Sequence, residues 1–129
     1  MSKTLLAVVA DDPLFLQAIT PALEANDYQV LLLAQPETAV AEIQKARPLL
    51  VLLDIHLGSG LTSWDLLAEL REQPDTAHIP VLIIAADTST VVRGAAPFAT
   101  GQVDVLEKPF DLEVLQNKIQ KLLSSAESL

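Results

Sequence analysis

Residues 49–54 read "LLVLLD", and the fold turns on how that run is taken. Five apolar residues in succession leave no polar face, so the segment suits a strand buried on both sides. Strands of that kind belong to parallel sheets covered by helices. Runs of similar character stand at 4–10, "TLLAVVA", at 28–34, "YQVLLLA", and within "HIPVLIIAAD" at 78–87, where the strand starts near Pro80. "VDVLE" at 103–107 is the fifth.

Helical signals alternate with these strands. Pro13 after Asp12 reads as the first position of a helix capped by Asp12, with Leu16, Ile19 and Leu23 at helical spacing and Pro21 expected to bend it. Pro36 opens a second helix in which Val40, Ile43 and Arg47 share a flank. Thr62 and Asp65 resemble a capping box for a third, through about Gln73. The segment 88–101, "TSTVVRGAAPFATG", is expected to carry a fourth, interrupted by Gly94 and Pro97. Asp111 caps a last helix whose Leu112, Leu115, Ile119 and Leu122 line one face, before a polar tail, "SSAESL", expected to fray. The pattern predicts an α/β fold: a doubly wound sandwich with a five-stranded parallel sheet and five helices. One domain is expected over residues 1–129, its core over about 4–123.

Composition narrows the function. A formal charge of −9 with only 8 basic residues argues against a nucleic-acid or anionic-membrane partner. No cysteine is present, which excludes disulfides and thiolate metal sites. The N-terminal apolar run is too short for a signal peptide or a membrane span, so a cytoplasmic protein is expected.

Doubly wound folds place their sites outside the carboxyl ends of the strands, beside the point where strand order reverses. Asp11 and Asp12 follow strand one, Asp54 ends strand three, Ala85 and Ala86 end strand four, and Lys108 follows strand five. Adjacent carboxylates repel when both are ionised, and a turn could hold them. A hard cation such as Mg²⁺ would give Asp11 and Asp12 a purpose and leave Asp54 free to act as a nucleophile toward a phosphoryl group. Each residue alone has an ordinary reading as a cap, a loop acid or a surface charge; their placement at successive strand ends is what points to a site.

"VVADDPLF", "LLVLLDIHL" and "LEKPF", in that order on alternating strands, resemble the receiver domain of two-component response regulators. The resemblance implies a flavodoxin-like fold with strand order 2-1-3-4-5, phosphoryl transfer from a histidine kinase or phosphotransfer protein to Asp54, and catalysis by the domain of its own phosphorylation and dephosphorylation. It implies Mg²⁺ held by Asp12, Asp54 and the backbone carbonyl of His56, with Asp11 reaching it through water. Lys108 would contact the phosphoryl group, and the Lys108–Pro109 bond would be cis. A partner surface, which would also serve a homodimer, would lie on the fourth helix, strand five and the last helix.

Departures accompany the matches. The family's strand four normally ends in Thr or Ser, where this chain has Ala85, and its strand five usually carries Tyr or Phe where this chain has Val105. Both parts of the usual switch relay are altered, so coupling of the acidic pocket to the output face is expected to be weak or unusual. The loop after Asp54 has Leu57, Gly58 and Gly60 in place of a common Met-Pro pair; His56 reads as an exposed loop side chain, and His78 is assigned nothing. A rival reading is a pseudo-receiver, a phosphorylation-independent interaction or dimerisation module. An aspartyl phosphohydrolase wants a second Asp two residues after the first, which neither Asp11 nor Asp54 has. A nucleotide binder wants a glycine-rich loop after strand one, and the 4 glycines form none there.

Overall fold

The structure is a computed structural model that describes residues 4–10, 12–54, 63–85, 103–107 and 111–127. Its elements are β1 (Thr4–Val9), α1 (Pro13–Ala25), β2 (Tyr28–Leu33), α2 (Pro36–Ala46), β3 (Leu50–Asp54), α3 (Ser63–Glu72), β4 (Val81–Ala85), β5 (Val103–Glu107) and α4 (Leu112–Glu127). The strands form one parallel sheet in the order β2-β1-β3-β4-β5, as expected. Four helices are described; the expected helix within 88–101 lies outside the described residues.

Every residue of β3 and β4 is buried, which is why neither strand alternates in hydrophobicity. Alternate side chains feed two cores. Leu6, Val8, Leu50, Leu52, Leu82 and Ile84 pack with Ile19 and Leu23 of α1 and Leu115, Ile119 and Leu122 of α4. On the other face, Ala7, Val9, Val51, Leu53, Val81 and Ile83 pack with α2 and α3.

Two expectations need correction. Arg47 lies outside α2: it is the C-cap, left-handed at φ 53° and exposed, because Pro48 bars the residue before it from the right-handed helical region. Leu112 is 51% exposed and stands outside the core that takes Leu115, Ile119 and Leu122. α4 extends into the polar tail as far as Glu127. α1 runs through Pro21, which takes away the N–H that the Gln17 carbonyl would otherwise receive.

Side-chain hydrogen bonds from Arg71 and Thr76 lock the loop that leads into β4. The Arg71 guanidinium, whose pKa burial lowers from its ordinary value, donates from one nitrogen to the carbonyls of Ala77 at 3.0 Å and Ile79 at 2.8 Å. Fully buried Thr76 donates its hydroxyl to the Leu70 carbonyl at 2.6 Å, tying the same loop to α3. Arg71→Ala is expected to lower stability by about 1–2 kcal/mol, because it leaves two partly buried carbonyls without a charged donor. Chemical denaturation at unchanged m-value checks this.

Candidate functional site

Asp54 is the last residue of the central strand, after four residues with no exposure, and is itself only 5% exposed. Among the described residues it shares the class of buried polar side chains with Thr76 alone. A carboxylate so placed costs free energy unless charge or hydrogen bonds compensate it. The apolar strand carries Asp54 to the sheet's carboxyl edge and stops there.

Asp12 reaches the same edge from the neighbouring strand. Val9 is the register partner of Leu53, so β1 and β3 end side by side. Ala10 is buried and donates its N–H to the Leu33 carbonyl at 3.1 Å, holding the exit from β1 against β2. Asp12 then caps α1: its backbone is extended at φ −91° and ψ 109°, Oδ1 accepts the Leu14 N–H at 3.0 Å, and its carbonyl accepts the Leu16 N–H at 3.1 Å. Pro13 follows at the first helical position, where a missing N–H costs nothing.

The chain leaves β1 toward β2 on one side and crosses to β3 on the other, so strand order reverses between β1 and β3. Asp12 and Asp54 therefore flank the crevice where doubly wound folds bind ligands. Two hard carboxylates, one nearly buried and one oriented by a helix cap, suit Mg²⁺, which takes few carboxylates and completes its shell with water and phosphate oxygens. No group of three His, Cys, Asp or Glu side chains that could hold a metal is found among the described residues. Asp11, His56 and Lys108, with the Lys108–Pro109 bond, lie outside the described residues.

Ala85 and Val105, where the family resemblance implies an altered switch, are among the described residues. Ala85 ends β4 at 2% exposure, opposite Glu107 and one residue past Ile84, the register partner of Asp54. Val105 is half-buried opposite Ile83. Both pack into the core on the α2 and α3 face, presenting neither a hydroxyl nor a ring. The hydroxyl residues Thr88, Ser89 and Thr90 that follow β4 lie outside the described residues, as does the segment with Gly94 and Pro97. Among the described residues no helix is long and apolar enough to cross a membrane.

Residues 6–120 match the family profile of the response regulator receiver domain. The chain is 30% identical over 123 residues to the phosphate regulon transcriptional regulatory protein PhoB of Rhizobium meliloti, covering 94% of this chain and 52% of that protein. It is 29% identical over 117 residues to the protein PilH of Pseudomonas aeruginosa, covering 91% and 95%. Among solved structures it resembles the receiver domain of the sensor histidine kinase PA1611 of Pseudomonas aeruginosa, which holds a magnesium ion in its active-site cleft. That match has a TM-score of 0.83 at 26% identity over 95% of this chain and 98% of the other. The chain spans about half or less of the first curated relatives it matches.

Proposed function

The chain belongs to the response regulator receiver domain family, and from that premise we propose that it accepts a phosphoryl group on Asp54, in Mg²⁺-dependent transfer from a histidine kinase or phosphotransfer protein. The observation that supports this most is the pairing of a nearly buried Asp54 with the helix-capping Asp12 across the strand-order reversal. Asp12, Asp54 and the His56 carbonyl would hold the metal, with Asp11 contributing through water. Bound there, Mg²⁺ supplies charge neutralisation for the carboxylates and for the oxygens of the transferring phosphoryl group.

An Asp54 carboxylate oxygen attacks the donor phosphorus. A new O–P bond forms, the N–P bond to the donor imidazole breaks, and the imidazole nitrogen keeps the electron pair and takes a proton. Lys108 would pair with phosphoryl oxygens as a point charge. Hydrolysis reverses the state: water attacks phosphorus, the Asp54 O–P bond breaks, and inorganic phosphate leaves. We further infer that the phosphorylated state couples weakly to the output face, since Ala85 and Val105 replace the hydroxyl and the ring of the usual relay. The rival reading as a phosphorylation-independent module is not favoured by the kinship with response regulators.

Calorimetric titration of the chain with Mg²⁺ tests the metal assignment without any turnover. Asp12→Asn keeps a capping oxygen and loses the charge, so the fold stays within about 0.5 kcal/mol while Mg²⁺ affinity falls at least about tenfold. Asp12→Ala loses the cap as well and about 1 kcal/mol of stability. Unchanged affinity in Asp12→Asn would remove Asp12 from the metal set.

A further inference from the structure

The sheet has two outer strands, β2 on one side and β5 on the other, and the chain treats their edges differently. On β5 the Val105 N–H is already taken by the side chain of Asp104, whose Oδ1 accepts it at 2.7 Å. Lys118 of α4 holds both oxygens of that carboxylate, at 3.4 and 3.3 Å. Glu107 adds a second charge to the same short strand. A strand arriving at this edge would displace an ion pair and lie beside charge, which is how natural sheets discourage edge pairing.

β2 has none of these devices. Its six residues, Tyr28–Leu33, carry no charge and no proline. The bond from the Ala10 N–H to the Leu33 carbonyl sets the parity of the strand: Gln29, Leu31 and Leu33 turn their backbone groups to β1, and Val30 and Leu32 turn theirs to the open side. Beside that outward row runs a groove of about 340 Å³ lined by Leu16, Gln17, Thr20, Pro21 and Leu32. Leu32 is 46% exposed, and the Thr20 hydroxyl oxygen is buried without a hydrogen-bond partner. Outward hydrogen-bonding groups next to an apolar groove are the two parts of a site that takes an extended strand, the backbone supplying affinity and the groove accepting alternate side chains.

We propose that the occupant is a second copy of this chain, its β2 paired antiparallel with this one about a two-fold axis and its Leu32 set against the groove at α1. Charge selects both the edge and the partner. Two chains of net charge −9 repel, and they meet at least cost where neither carries charge. The segment 28–35 and the groove residues are all uncharged. A strand meeting its own copy faces its own side chains, so an uncharged strand sets no like charges opposite each other in any register, whereas β5 would place Asp104 or Glu107 against its copy. Because β5 is closed to pairing, the assembly stops at two copies. This dimer uses the edge opposite the surface on strand five and the last helix that family resemblance suggests, and it does not depend on phosphorylation of Asp54.

Sedimentation equilibrium and light scattering on the full chain, across concentration at low and high salt, test it. The expected result is a monomer–dimer equilibrium whose dimer fraction rises with salt, as screening weakens the repulsion of the two acidic chains. At high salt, where net-charge repulsion is screened, Leu32→Glu puts charge on both sides of the axis and raises the dissociation constant at least about tenfold, while Lys118→Glu on the opposite edge leaves it unchanged. In the wild-type chain the amides of Val30 and Leu32 exchange slowly at high concentration and faster on dilution, a readout that holds even if Leu32→Glu perturbs the fold. A monomer at every concentration and salt, a dimer indifferent to Leu32→Glu, dilution-independent exchange at Val30 and Leu32, or growth beyond two copies would each overturn the proposal.

Discussion

An Asp54→Asn chain is expected to gain no phosphoryl group from any donor, under conditions in which the wild type gains one. The amide has the size of the carboxylate but carries no charge to attack phosphorus, so the loss is of chemistry rather than of shape. Folding should survive, because position 54 is 5% exposed at the end of an apolar strand and a neutral side chain costs less to bury there than an ion does. Thermal denaturation without Mg²⁺ separates the two effects: the variant melts no lower than the wild type, and adding Mg²⁺ raises its melting temperature less. An adduct that persists in Asp54→Asn would move the acceptor elsewhere.

Ala85→Thr is expected to strengthen the response to a phosphoryl mimic. In the native chain Ala85 contributes a methyl group to the core at 2% exposure and offers the phosphoryl group no donor. A hydroxyl there adds one hydrogen bond to an anion, on the order of 1.5–3 kcal/mol of preference for the phosphorylated state, or about 10- to 150-fold in population. Amide chemical shifts across residues 86–106 report the result: small changes in the wild type on adding the mimic, and a larger concerted change in the variant. Large concerted shifts already present in the wild type would show that coupling runs by another route.

The fold was legible because its evidence is local and redundant. Leu50 to Leu53 are apolar without interruption since both faces of β3 are buried, and Asp12 with Pro13 announces a helix start that the Leu14 N–H then completes. What the sequence hid depends on neighbours distant along the chain. The exposure of Leu32 follows from the place of β2 as an outer strand among the described residues, which no local pattern in the sequence announces. Arg71 reads as an ordinary basic residue in the last turn of a helix, and only the path of the 77–79 loop turns it into a donor to two carbonyls. Of the candidate site, the order of strand ends made Asp12 and Asp54 visible as a pair. Their placement on either side of the strand-order reversal required the topology.

The most direct test of the central claim is the intact mass of the wild-type chain after incubation with a small phosphodonor, with and without Mg²⁺. A gain of one phosphoryl group that requires Mg²⁺ and maps to the peptide containing Asp54 is the predicted result. No adduct at any Mg²⁺ concentration, or one formed equally well without the metal or at another residue, would contradict it.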